Sequence, residues 1–347
     1  MNKILLTVVF SISISIGFSQ ALYFNVSGGY GAPALQQTQQ GITFQPNGTD
    51  PSGSIIVPLI NQNISDSSSF RYKTNSYQGY TTGGTFSLTV GYFINPYVGF
   101  EVGFSSLIPQ KIYGTSTYDE ELPPNQQTLG TNISIKTTTW SYGITMSPGI
   151  RLHACKPDAK VVPYGRFALS IPLWGATKHQ LDIRTNNFLP SFLNVPASAS
   201  VHATTKSVFS IGFNGSIGVG YNITKWVRIY GEVAAQYLFV RTGKTTLTKY
   251  ELTVNGETND QLPTYSKFSK ETVFVDELNE NSNTLIFDKK RNPTDIKDYD
   301  TYVDENKPRE ELRRAANFSA FGGMIGFAFT IDNKMWKKKK KPVPVHN

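Results

Sequence analysis

The chain runs to 347 residues, rich in aromatics and Gly but only 17% charged, a usage that suits an all-β protein with many turns and excludes a charged disordered chain. Its formal charge of +8 does not mark a nucleic-acid face: the segment from Asp332 onward holds six lysines and one acid, and with Lys3 set aside the remainder carries about +2. The single cysteine, Cys155, excludes an internal disulfide, and no later stretch approaches the roughly 18 apolar residues of a membrane-spanning helix.

The chain opens with MNK and then ILLTVVFSISISIGF, which reads as a secretory signal: one lysine, then an apolar run too short to cross a bilayer. Gly17 and Ser19 supply small side chains before a cleavage point at Gln20, so residues 1–19 are expected to be a signal peptide. Alternation begins at Leu22. Eight segments then carry large apolar residues on one parity: 22–31, 80–94, 97–107, 137–152, 161–174, 206–221, 226–240 and 317–331. In the third, YVGFEVGF, Val98, Phe100, Val102 and Phe104 face one way and Gly99, Glu101 and Gly103 the other. Each run exceeds the roughly 9–11 residues that a tilted strand needs to cross a bilayer.

The connections alternate in length. Strands 2–3, 4–5 and 6–7 are joined by short turns, the others by long loops at about 32–79, 108–136, 175–205 and 241–315. Short turns at one end and long loops at the other are the pattern of an outer-membrane barrel, with the turns and both termini in the periplasm. The competing fold, a soluble barrel or sandwich, would carry Lys, Glu and Thr on its second parity. Here that parity is mostly Gly, Ser, Ala and Thr, which suits a narrow, filled lumen. Aromatics gather near strand ends as two interfacial groups: Tyr92, Tyr97, Tyr221 and Trp226 at the turn end, and Trp140, Trp174, Tyr237 and Phe239 toward the loops. The expected fold is therefore an all-β, antiparallel up-and-down transmembrane β-barrel of eight strands spanning 20–331, with a lysine-rich periplasmic tail at 332–347.

In spacing and face pattern the framework from Leu22 to Ile331 resembles the small eight-stranded barrels of Gram-negative outer membranes, the OmpX type and the transmembrane domain of OmpA. One departure is that sixteen residues follow the final GFAFTI, where the family's last strand ends at an aromatic C-terminal residue.

Counting parity along each strand turns five charges inward: Glu101, Arg151, Arg166, Arg228 and Glu232. Their similar distances from the turns predict a lumen cluster, structural or gating, with Glu101 as counter-charge to Arg151 and Arg166 and with Arg228 and Glu232 farther round the wall. The last long loop holds 15 acidic and 13 basic residues, and its Asn255-Gly256 pair between β-rich flanks predicts a hairpin. A β-extension is therefore expected there, and a ten-stranded barrel stands as an alternative. The run Asp295, Asp298, Asp300, Asp304 and Glu305 lacks the spacing of an EF-hand and reads as a solvated loop. No catalytic constellation, metal site or cofactor is expected, although His179, Asp182 and His202 share one connection and His153 lies near Cys155.

Three functions remain open on these residues. The first is a non-enzymatic barrel presenting extracellular loops for surface interaction or envelope integrity. The others are a narrow gated channel or small-solute transporter, and a rim-located hydrolase. The partners implied are outer-membrane lipid, the barrel-assembly machinery during biogenesis, an extracellular ligand or surface met by the loops, and a periplasmic anionic polymer or lipid met by the lysine tail. No nucleic-acid partner is expected.

Overall fold

The computed structural model describes residues 21–34, 68–74, 81–120, 132–156, 159–186, 195–279, 281–284 and 304–332. Residues 1–20, where the signal peptide is expected, most of the 32–79 connection, Asp295, Asp298, Asp300 and the residues from 333 onward lie outside the described residues. In chain order the strands are β1 (Ala21–Pro33), β2 (Ser68–Thr74), β3 (Gly83–Phe93), β4 (Val98–Pro109), β5 (Ile112–Glu120), β6 (Asn132–His153), β7 (Val161–Thr185) and β8 (Ala197–Ser207). There follow β9 (Gly212–Asn222), β10 (Val227–Tyr237), β11 (Phe239–Val254), β12 (Glu257–Asp260), β13 (Glu271–Val275), β14 (Arg309–Leu312), β15 (Ala315–Asn317) and β16 (Ala320–Asp332).

Eight of them close into a ring, in the order β1-β3-β4-β6-β7-β9-β10-β16 and back to β1, every neighbour antiparallel. These are the eight alternating segments, with shifted ends: the sixth begins at Gly212 and the seventh stops at Tyr237. The ten-stranded alternative is not realised, since β10 and β16 pair directly and no strand among the described residues of the last connection enters the ring. Side-chain size explains the closure. Phe100 and Phe104 are each 43% exposed on the outer wall, whereas Glu101 between them is 3% exposed. The same holds around the ring, giving a continuous outer belt that includes Phe24, Leu88, Phe167, Phe213, Val233 and Phe327. An apolar surface of that extent is compatible with lipid, not with water. The short turns are locked locally: the Asn95 side chain accepts from the backbone N–H of Tyr97 and Val98, and Thr224 Oγ1 from that of Val227.

At the loop end the sheet does not stop. β6 leaves β4 after Gly143 and takes up β5 from Thr139, while β7 leaves β9 after Ser170 and takes up β8 from Ala176. β2 adds to β5; beyond β8 come β11 and then β13, with β14 parallel to β13. The connections read from the sequence as loops thus hold strands among their described residues. The inner face of this extension has its own core, in which Ile133, Ile135, Leu181, Ile183, Val201 and Tyr250 are buried, and Leu262 and Tyr265 pack against it. Asn255 (φ 51°) and Gly256 (φ 85°) form the two-residue turn between β11 and β12, as their left-handed conformations require.

Candidate functional site

The lumen is crossed by buried charges. Glu101 from β4 and Glu232 from β10 arise on opposite walls of the ring, and Arg166, on the strand midway between them, binds both. Its Nη1 donates to Glu232 Oε1 at 2.8 Å and its Nε to Glu101 Oε1. Arg151 is 2% exposed, and its Nε lies 3.0 Å from Glu101 Oε2 with the N–H off the line of approach, so this contact is Coulombic. Its guanidinium is held between two rings from opposite walls, 5.0 Å from the Tyr23 centroid and 4.7 Å from that of Tyr164. With its oxygen turned to Arg151, the Asn25 amide accepts from Nη2 at 2.8 Å and Nη1 at 3.2 Å. The tyrosine hydroxyls complete the carboxylates: Tyr23 donates to Glu101 Oε2 and Tyr164 to Glu232 Oε2, each at 2.8 Å.

Four of the five charges predicted from parity therefore meet in one network. Arg228 does not join Glu232: it turns toward the turn end, where its Nε donates to Asn222 Oδ1 at 2.8 Å. Parity counting for charges misses the tyrosines. Tyr23 and Tyr164 lie on the inward parity too, and a large aromatic among small residues is the signal that marks them. Glycines accommodate them: a Cβ on Gly91 would lie 2.4 Å from Tyr23 Cζ, and one on Gly218 2.7 Å from Tyr164 Cζ.

Above this plug lies a chamber of about 380 Å³, reaching from Thr85 and Ser105 on the barrel wall to Thr139, His179 and Thr205 at the base of the extension, with Phe274 from β13 among its lining. Thr139 Oγ1 lies 3.3 Å from His179 Nδ1, and burial pulls the His179 imidazole down to about 4. His202 pairs in register with Gln180, so it projects from the opposite face of the sheet. Burial and then Lys249 lower its pKa, and its Nε2 lies 3.4 Å from Ser200 Oγ, which donates to Asp182 Oδ1 at 3.0 Å. The serine hydroxyl thus donates to the carboxylate. The two histidines of that connection do not form one site.

Cys155 donates to Val161 O at 3.4 Å, and His153 is buried against Phe93, centroids 4.5 Å apart. Among the described residues no group of three or more His, Cys, Asp and Glu could hold a metal. Asp304 is occupied by Lys307 at 3.2 Å and by the Asn306 N–H, and the hydrogen bond from Lys307 holds its carboxyl below the usual range. Of the interfacial aromatics, Tyr97, Tyr221 and Trp226 are exposed at the turn end, where Tyr92 is half-buried beside Phe100. Trp174, Tyr237 and Phe239 are exposed toward the loops, with Trp140 half-buried.

Among solved structures, the chain is similar to the outer membrane protein OprG from Pseudomonas aeruginosa, at 11% identity and a TM-score of 0.31 over 90% of this chain and 98% of that one. It is similar to Ail, the attachment invasion locus protein of Yersinia pestis, solved with the heparin analogue sucrose octasulfate, at 10% identity and a TM-score of 0.27 over 89% and 99%. A major outer membrane protein from Thermus thermophilus matches at 9% identity and a TM-score of 0.27 over 90% and 100%. None of the curated proteins matches the chain in sequence. The family model described as the outer membrane protein beta-barrel domain matches residues 20–255, more than half of the chain, and the chain belongs to that family.

Proposed function

We propose that this outer-membrane barrel is a sealed, non-enzymatic anchor that holds a folded β-extension at the cell surface for surface interaction. The observation that carries this reading is the ion-pair network joining opposite walls of the lumen through Arg166, with the extension's own core beyond it. A lumen filled by paired charges and tyrosine rings blocks passage, whereas strands that run past the lipid belt present a rigid head. In this reading residues 1–19 are removed on export, the barrel-assembly machinery inserts the chain, the turn end and both termini face the periplasm, and the 332–347 tail meets anionic lipid or polymer there.

A second reading is favoured by the chamber of about 380 Å³ on the loop side of the plug, lined by Thr85, Ser105 and Thr145 on the barrel wall. A swap of partners among Glu101, Arg151, Arg166 and Glu232 would open a narrow path from it, making the barrel a gated channel for ions or small solutes. Planar-bilayer recording separates the two. The anchor gives no current steps over a wide voltage range, and sustained steps in the wild-type protein reject it in favour of the channel. Protease added to intact cells tests the orientation, since it should cut the extension and spare the turns.

A further inference from the structure

The outer face of β5, β6 and β7 carries three lysines just beyond the lipid belt. Lys111 Nζ lies 5.5 Å from the Trp140 ring centroid, Lys178 Nζ 5.5 Å from that of Tyr142, and Lys136 Nζ 6.0 Å from that of Tyr113. The register joins them: Trp140 stands opposite Lys178, Ile112 opposite Thr139, and Thr115 opposite Lys136. Trp140 is on the same parity of β6 as Ile144 and Leu152, which are exposed in the belt, so these residues share its outward face. Within β7, Trp174 is 62% exposed directly below.

Among the described residues none of these three lysines is in an ion pair, unlike Lys244, Lys249 and Lys307, which pair with Glu271, Glu251 and Asp304. The carboxylate of the same face, Asp182, stands opposite Lys136 in register but accepts from Gln180 and Ser200 instead. Ammonium groups laid over aromatic rings at the edge of an apolar belt stand where the headgroups of the surrounding leaflet begin. Among the described residues their positive charge has no ion-pair partner at that level.

We propose that Lys111, Lys136 and Lys178 form a binding site for the phosphate groups of anionic lipid headgroups in the leaflet at the loop end. The inference rests on reading the loop-end aromatics as the membrane interface. Charge complementarity selects the occupant, and continuity with the lipid belt places its acyl chains against Ile144 and Trp174. Each lysine near an anionic headgroup strengthens binding by about fivefold.

The test uses the full-length protein in phosphatidylcholine nanodiscs doped with bis-phosphorylated lipid A, with retained lipid counted by native mass spectrometry. Wild-type protein should retain the bis-phosphorylated lipid over its dephosphorylated form. K111Q/K136Q/K178Q should lower retention by at least about tenfold, with the single variant K178Q intermediate. K244Q/K249Q/K307Q, which removes the same charge from paired lysines, should leave retention unchanged. Equal retention by wild type and the first triple variant, or equal loss in both triple variants, overturns the site. Displacement of the lipid by millimolar inorganic phosphate overturns its assignment to a lipid headgroup. The heat-modifiable gel shift of each variant reports barrel folding separately, and conductance is not read, so failure of the anchor reading is distinguishable from failure of the site.

Discussion

Glu101 and Glu232 stand on diametrically opposed strands of the ring and are joined through one guanidinium, that of Arg166. Each carboxylate also accepts a tyrosine hydroxyl, Glu101 that of Tyr23 on β1 and Glu232 that of Tyr164 on β7, the strand of Arg166. The arrangement makes the lumen a single cooperative unit, and its members should not act independently.

Glu101→Gln leaves the buried side chains of Arg151 and Arg166 without their shared counter-charge. Removing one partner of a buried pair costs about 3–5 kcal/mol. We expect the midpoint of urea unfolding in lipid vesicles to fall accordingly, and the heat-modifiable transition to move to lower temperature. Because Arg166→Met removes the complementary charge, the double variant E101Q/R166M should lose less than the two single losses added together. Strict additivity would show that the network is not coupled.

Gly218→Val tests the fit of Tyr164 against the wall. The new Cβ would meet Tyr164 Cζ at 2.7 Å and Glu232 Cβ at 2.8 Å, and crowding of this kind costs about 1–3 kcal/mol. Gly323→Val is the matched control, since nothing lies within 4 Å of a Cβ there, and it should leave the unfolding midpoint unchanged.

Phe104→Arg tests which face meets lipid. An arginine on the lipid side near the middle of β4 should destabilise insertion by about 2–4 kcal/mol, while Phe104→Leu should be nearly silent. Fluorescence-detected folding into vesicles of defined thickness measures both. A silent arginine would place that face in water.

The pH response of the extension follows from His179. Its pKa in the fold is about 4 against an ordinary 6.5, so the unfolded chain binds the extra proton between those values. The stability contributed by the neutral imidazole is complete above about pH 6.5 and is lost as pH falls toward 4. Protease resistance of the extension should decline across that window, and His179→Gln should flatten the decline. Acid sensitivity that persists in the variant would move its origin elsewhere.

The ring strands are legible because lipid outside and a filled lumen inside impose opposite side-chain sizes on successive residues. The fifth segment shows where that signal fails. Leu173 and Trp174 are adjacent yet both exposed, because a bulge shifts the register there and reverses the parity of everything beyond. Read by parity the strand ends at 174, whereas β7 runs on to Thr185. β8 is harder still: its ASASVHATTKS buries alanines, which do not announce an apolar face. The hairpin at Asn255-Gly256 is visible because two left-handed residues are a local requirement. For the plug, charge betrays Glu101, Arg151, Arg166 and Glu232. Arg228 carries the same inward parity, but its binding to Asn222 depends on side-chain reach that parity does not encode.

The first and last ring strands pair from Ala21↔Asp332 to Pro33↔Ala320, and β16 follows the whole of β11–β15 in the chain. Until β16 is delivered, β1 and β10 each present a raw edge. The finished bore, stoppered by Arg151 and its tyrosines, is too full to admit another stretch of polypeptide. In the orientation proposed above, the extension would cross the bilayer while the wall is still a horseshoe, and pairing of β16 with β1 and β10 would be the act that commits it to the outside.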